Sequence, residues 1–378
     1  MNLQVSSFRA EGYRSLRSLF LPVAPLAVFL GANGAGKTNL YRALQLLQAA
    51  AAGTLATDLA AEGGMERAVW AGPRRAGKPA QIHIGVELSA PEGQGVFSYD
   101  VTVGFPYPTA AAFAREPQVK AEAARFRHRA RTTQLLERKG PRLTARSEQG
   151  KREAIDTELM ASETALSALS DPSRYPDLHL VRQAMLDWRF YHDLRTDAAS
   201  PLRAPCLAVA SPTLASDGAN LAAVIATLVH IRGDSDPLDR AIEDAFPGAA
   251  LIVPEPDHRA HFGLTFPDHP RRVFDASELS EGTLRYVALA GALLAYRPPA
   301  FIALNEPESS LHADLLEPLA RLIAAAAQRT QIWIVTHSQR LADALERFAG
   351  AVPRTVIKRD GETAIEGLRP GGFDDDDA

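Results

Sequence analysis

Residues 26–30 read LAVFL, a short β-branched and aromatic run that stops at Gly31, and from 37 to 52 leucines recur at helical spacing, at Leu40, Leu44 and Leu47. That pattern predicts a strand, a glycine loop and a helix. Residues 81–87 and 96–103 alternate apolar with polar, which predicts two half-buried strands paired antiparallel across 89–95. From about 110 to 200, Ala, Arg, Glu and Leu dominate and β-branched residues are few, so short helices forming an inserted lobe are expected there. The stretch 217–233, DGANLAAVIATLVHIRG, predicts a turn and then a helix with Leu221, Val224, Ile225 and Leu228 on one face. Strand-like alternation returns at 251–253 and 261–266. The last third alternates helix 284–296, strand 300–304, helix 313–327, strand 331–335, helix 339–348 and strand 355–358, a rhythm that implies a largely parallel sheet.

Composition narrows the class. With 378 residues and 46% hydrophobic content, the chain can bury a large core as one composite domain or two smaller ones. The apolar runs fall far short of the ~20 residues a membrane-spanning helix needs, and no signal-peptide order is visible, so a cytoplasmic location is expected. The single cysteine, Cys206, excludes an internal disulfide and a thiolate zinc site. A net charge of -4 argues against a uniformly basic nucleic-acid binder. Acidic residues 374–377 predict a solvated end, with an interaction tail as the alternative.

Gly31-Ala32-Asn33-Gly34-Ala35-Gly36-Lys37-Thr38 satisfies G-x-x-x-x-G-K-[ST] in the strand-to-helix context that phosphate binding requires. Glycines let successive N–H groups turn toward phosphate oxygens, Lys37 reaches the β- and γ-phosphates, and the Thr38 hydroxyl is placed for Mg2+. The apolar run 301–304 ends in Asn305-Glu306-Pro307-Glu308, so polar groups emerge at the carboxyl end of a strand, where open α/β sheets bind ligands. There Glu306 can orient or deprotonate an attacking water. Asn305 can hydrogen-bond a metal-bound water but adds no charge, so weaker Mg2+ retention or slower turnover is expected. Ser280-Glu281-Gly282-Thr283 precedes a helix, where an anion is favoured. His337 follows an apolar strand, at a position suited to a γ-phosphate.

The order of these pieces, with Ser309-Ser310-Leu311-His312 after the acidic strand end, resembles the ABC-type ATPase head of the RecF/OLD/SMC-like group, and within it the standalone AAA-family ATPases. The resemblance implies an α/β P-loop NTPase fold: an ABC-ATPase-like head with an antiparallel β subdomain and an inserted α-helical lobe. The expected organisation is head residues 1–109, helical lobe 110–205, head residues 206–370 and acidic tail 371–378. It further implies ATP and Mg2+ as cofactors, the latter at Thr38 and Asn305. Gly31, Asn33, Gly34, Gly36, Lys37, Thr38, Asn39 and Arg14 would contact nucleotide, Arg14 being the least specific of these. Ser280 and Gly282 would close over ATP held by a second copy in a head-to-head homodimer. Lys37, Glu306 and His337 would act in catalysis, with 309–312 as the D-loop. The preceding residue of such a strand-end pair is usually Asp, and Asn305 departs from that pattern. Gln81 is the candidate for a Q-loop glutamine.

Twelve basic residues against four glutamates make 115–152 net +8, leaving -12 for the rest of the chain. Arg125, Arg127, Arg129 and Arg131, with Phe126 among them, form a candidate DNA surface; a solvated face pairing with acidic neighbours is the equal alternative. Two functional classes follow: a slow ATPase acting on DNA in repair or defence, or an ATP-gated binding module that recruits a separate effector. A transporter subunit is a weaker third, and any nuclease is expected on another chain.

Overall fold

The structure, a computed structural model, describes residues 3–73, 77, 79–106, 113–156, 158–192, 194–233 and 235–368. The chain divides into two compact units, one of residues 1–24, 31–188 and 355–378, the other of 25–30 and 189–354.

In the first unit an eight-stranded antiparallel sheet runs in the order Leu16–Pro22, Gln4–Tyr13, Gln81–Ser89, Val96–Gly104, Gln118–His128, Arg131–Lys139, Arg142–Arg146, Arg152–Ala154. Alternation explains it: Ile82, Ile84, Val86 and Leu88 are buried, while His83 and Glu87 stand on the more open face. The hairpin expected from alternation at 81–103 is present, in register from Gln81 opposite Gly104 to Ser89 opposite Val96. Helix Lys37–Ala52 turns Leu40, Leu44 and Leu47 fully inward. Each such leucine contributes about 1.5–3 kcal/mol. Gln48 on the same helix donates to the carbonyls of Met185, Leu186 and Trp188, satisfying acceptors at the end of helix Pro176–Leu186.

The segment 110–205 differs from the helical lobe expected. Residues 118–154 form four strands, and helices begin only at Ala165–Ala168 and Pro176–Leu186. Helix propensity favours Ala, Arg and Glu by only tenths of a kcal/mol per residue. Pairing of Gln118–His128 with Val96–Gly104 outweighs it, burying Glu122 and Ala124 and leaving Arg127 exposed. Two strands, Gln4–Tyr13 and Leu16–Pro22, also precede residue 26, where the sequence pattern predicts the first. The tail expected at 371–378 lies outside the described residues.

In the second unit, strands Arg189–Tyr191, Phe301–Asn305, Gln331–Thr336 and Leu26–Leu30 lie side by side in that order, all parallel. Every residue of Gln331–Thr336 is buried, as a strand covered on both faces requires. Leu284, Val287, Leu319, Ile323, Leu341 and Leu345 from helices Glu281–Leu294, Leu316–Ala326 and Gln339–Ala349 pack into one core with Ile302, Leu304, Ile332 and Ile334. The α/β rhythm of the last third is thus observed, with one helix starting at Glu281 and the 313–327 element opening as a 3-10 turn, Ala313–Leu315. Because the strands are parallel, Leu30, Asn305 and Thr336 end at one edge.

Candidate functional site

The phosphate loop follows strand Leu26–Leu30 directly. Gly34 (φ 83°) and Gly36 (φ 98°) adopt left-handed conformations that suit glycine, so the motif's spacing is a backbone requirement. Gly36 caps helix Lys37–Ala52 without a side-chain hydrogen bond, and the first turn holds no acidic residue, so the helix presents N–H groups and a positive dipole end to an anion. Lys37 is buried, and its ammonium donates to the carbonyls of Gly31 at 2.6 Å and Ala32 at 2.9 Å, bridging the loop from helix start to loop start. Thr38 is exposed on the first turn, and Asn39 donates its amide to Ser15 Oγ at 2.6 Å. Backbone donors, one ammonium and a hydroxyl form a donor set that fits a nucleotide triphosphate.

Arg14 has φ 49° and directs its guanidinium onto Glu62, at 3.1 and 2.8 Å. Tyr13 donates to the same carboxylate at 2.8 Å, and Arg42 lies 3.5 Å away. Burial, then the charge of Glu62, pushes the Tyr13 hydroxyl pKa far up, so it remains a donor. Arg14 therefore sits in a polar cluster with Glu62.

In the second unit the strand ends assemble a tighter group. Glu306 follows strand Phe301–Asn305 with φ 49°, a conformation costing about 1 kcal/mol or more for a side-chain-bearing residue. Two bonds hold it: its N–H donates to Val335 O at 2.7 Å, and Arg285 Nη2 donates to its carbonyl at 3.2 Å. Arg285, buried on the helix after Ser280, also donates to Leu194 O at 3.2 Å. Glu308 is buried, and its Oε1 accepts from the Thr336 hydroxyl and from the His337 N–H at 3.1 Å. His337 Nδ1 lies 3.3 Å from that oxygen and 3.4 Å from Glu306 Oε1. The structure thus brings Glu306 and His337 together and adds Glu308 and Arg285. Neither of these two is marked by a local pattern, although Glu308 ends the Asn305-Glu306-Pro307-Glu308 run.

Asn305 Oδ1 is buried without a hydrogen-bond partner. That amide oxygen fits the oxygen-donor chemistry of Mg2+ and its water shell, as the Thr38 hydroxyl does, though without a carboxylate's charge. Ser280 Oγ accepts from the Thr283 N–H at 3.2 Å, a conventional helix cap on an exposed residue. A Cβ on Gly282 would stand 2.9 Å from Ser310 O, so glycine allows the start of this helix to approach the 309–312 segment closely.

On the large sheet, Arg125 pairs with Asp100 at 3.2 Å and Arg127 with Glu87 at 3.5 Å. Arg129 and Arg131 are exposed beside the hairpin turn. Arg138 is buried and donates to the carbonyls of Gly140, Met160 and Glu163. Phe126, half-buried, packs on Phe97 with ring centroids 4.6 Å apart.

A family model described as "AAA domain, putative AbiEii toxin, Type IV TA system" matches residues 26–343. The chain is 30% identical to the chromosome partition protein Smc of Synechococcus sp. over 124 residues, 30% of this chain and 10% of that protein. It is 28% identical over 123 residues to Smc of Gloeobacter violaceus, again 10% of the relative, so the chain spans a small part of the curated relatives it matches. Among solved structures, an SmcHead bound to the C-winged helix domain of ScpA aligns with TM-score 0.55 at 16% identity, covering 97% of this chain and 98% of that one. An Smc head domain with an extended coiled coil, bound to the C-terminal domain of ScpA and derived from Pyrococcus furiosus, aligns with TM-score 0.53 at 13% identity, covering 97% and 96%. These alignments show the ATPase-head fold.

Proposed function

The chain belongs to this AAA-domain family, and from that premise we propose that it hydrolyses ATP slowly, dimerises head to head on ATP and acts in a DNA-linked process of repair or defence. It is a P-loop ATPase head of the SMC/AAA type, and among the described residues no helix is long and apolar enough to cross a membrane. The observation that carries the reading is the strand-end group: Glu306 is held in a left-handed conformation by Val335 and Arg285, with the His337 ring 3.4 Å from its carboxylate.

In the proposed reaction Lys37 and the loop N–H groups of Gly31, Asn33, Gly34 and Gly36 bind the triphosphate, with Asn39 and Arg14 supporting that end of the site. Glu306 takes a proton from the attacking water, and His337 orients the carboxylate and senses the γ-phosphate. Thr38 and, through water, Asn305 are the residues assigned to Mg2+, which would supply positive charge to offset that of the triphosphate. The amide at 305 is the reason to expect slow turnover. Ser280 and Gly282 of one copy close over nucleotide on the other, and hydrolysis removes the γ-phosphate that holds the pair together.

DNA contact is assigned chiefly to Arg129 and Arg131, whose guanidinium groups are exposed, with Arg125 and Arg127 secondary because carboxylates engage them. The family's description as a toxin of a toxin–antitoxin system supports the defence branch. A separate effector is proposed by analogy with the SMC heads solved bound to ScpA. Asn305 supports a second reading, an ATP-gated binding module with little hydrolysis.

The test is steady-state Mg-ATP turnover with and without duplex DNA, alongside Lys37→Ala and Glu306→Gln. Turnover abolished by both substitutions and accelerated by DNA supports the DNA-linked ATPase. Lys37-dependent binding without turnover favours the gated module, and absence of nucleotide binding refutes both.

A further inference from the structure

The phosphate loop is backed by the hairpin of Arg354–Arg359 and Glu362–Ile365, which lies more than 300 residues later in the chain. A Cβ on Gly31 would stand 2.5 Å from Val356 O, and one on Gly36 would stand 1.8 Å from Thr363 Oγ1 and 2.7 Å from Ser15 Oγ. Both ends of the loop therefore press on this wall. Between them runs a chain of hydrogen bonds: Thr363 Oγ1 to Ala35 O at 2.9 Å, Ser15 Oγ to Thr363 Oγ1 at 2.6 Å, and Asn39 Nδ2 to Ser15 Oγ at 2.6 Å.

The direction of this chain is forced. A carbonyl only accepts, so the single hydroxyl hydrogen of Thr363 goes to Ala35. Ser15 must then donate its own hydrogen to Thr363, and its oxygen accepts from the Asn39 amide. Thr363 is buried, so its hydroxyl finds no easy replacement partner in water. The receiving peptide matters because it is planar and trans: holding Ala35 O on the hairpin side turns the Gly36 N–H to the opposite side. Thr363 N–H also donates to Ser15 O at 2.8 Å, so the hydroxyl is carried by a fixed backbone.

We propose that Thr363 is a positioning residue of the nucleotide site, orienting the Ala35–Gly36 peptide for phosphate binding from the C-terminal hairpin. This deepens the ATP-binding reading and rests on it. Ser15 and Asn39 set the direction of the donor, and Gly36 is required by the close approach as well as by its φ of 98°.

The experiment is titration calorimetry of the full chain with Mg-ATP for wild type, Lys37→Ala, Thr363→Val and Thr363→Ser, with the melting temperature of each protein measured without nucleotide. Valine keeps the volume and removes the donor; serine keeps the donor. The expected result is affinity about tenfold weaker in Thr363→Val and within about twofold of wild type in Thr363→Ser, a rescue that a purely space-filling role would not give. Wild-type affinity in Thr363→Val overturns the proposal, as does equal loss in the valine and serine variants. If Thr363→Val does not fold, Thr363→Ala removes the same donor and is judged by the same criterion. Failure of wild type to bind ATP in a Lys37-dependent way overturns the ATP-binding reading itself, and this inference with it.

Discussion

Replacing Glu308 with alanine removes the acceptor for two donors at once, the Thr336 hydroxyl and the His337 N–H. Thr336 is fully buried, so its hydroxyl loses its partner without gaining water. A buried donor left unpaired costs about 1–3 kcal/mol, and this falls on Thr336 alone, because His337 is exposed and its N–H can turn to water. The substitution also removes Glu308 Oε2, a buried oxygen without a partner, and this offsets part of the loss. A net destabilisation of about 1–2 kcal/mol is expected. Glu308→Gln keeps an oxygen able to accept both bonds and is expected to stay within about 1 kcal/mol of wild type. Equilibrium urea unfolding followed by tryptophan fluorescence reads this, Trp333, one of the three tryptophans, lying three positions before Thr336 on the same buried strand. Turnover measured in parallel should fall in Glu308→Ala, since His337 loses one of the two carboxylates beside it. A midpoint for Glu308→Ala equal to that of wild type would refute the assignment of Glu308 as the anchor of this strand end.

Other outcomes follow from the same geometry. Glu122 is fully buried, and burial raises its carboxyl pKa despite hydrogen bonds from Ala165 N–H, Leu166 N–H and Tyr99. The folded state then holds more protons than the unfolded one between the ordinary carboxylate range and the raised value, so stability falls as pH rises through that window; urea midpoints measured across it should show this slope, and Glu122→Gln should lose it. Asn305→Asp restores a carboxylate at the strand end and should lower the Mg2+ concentration for half-maximal turnover by about tenfold; an unchanged Mg2+ titration would remove residue 305 from the metal site. If the arginine surface binds duplex DNA, Arg129→Ala with Arg131→Ala should flatten the plot of log affinity against log salt by about 2, since each phosphate neutralised by an arginine adds about 0.9 to that slope. Arg125→Ala, whose guanidinium already pairs with Asp100, should flatten it less.

The chemistry carried by neighbours along the chain is legible in the residues alone. Residues 31–38 form the loop because the glycine spacing, the lysine and the helix start are consecutive, and the left-handed turns at Gly34 and Gly36 are local backbone facts. The apolar runs at 26–30, 301–304 and 331–335 were legible as buried strands for the same reason, and so was the emergence of Asn305, Glu306 and His337 after them. The Asp360-Gly361 pair, with φ of 50° and 85°, was an available signal for the hairpin behind the loop that the hydrophobic pattern does not carry. The remaining features depend on contacts between distant segments. Residues 118–154 became strands because pairing with Val96–Gly104 outweighs a weak local preference for helix. Glu308 anchors Thr336 and His337, and Thr363 reaches Ala35, across 28, 29 and 328 residues of chain. No local pattern encodes such pairings, because a side chain's partner is set by where the fold brings distant backbone together, and burial then makes that partner necessary.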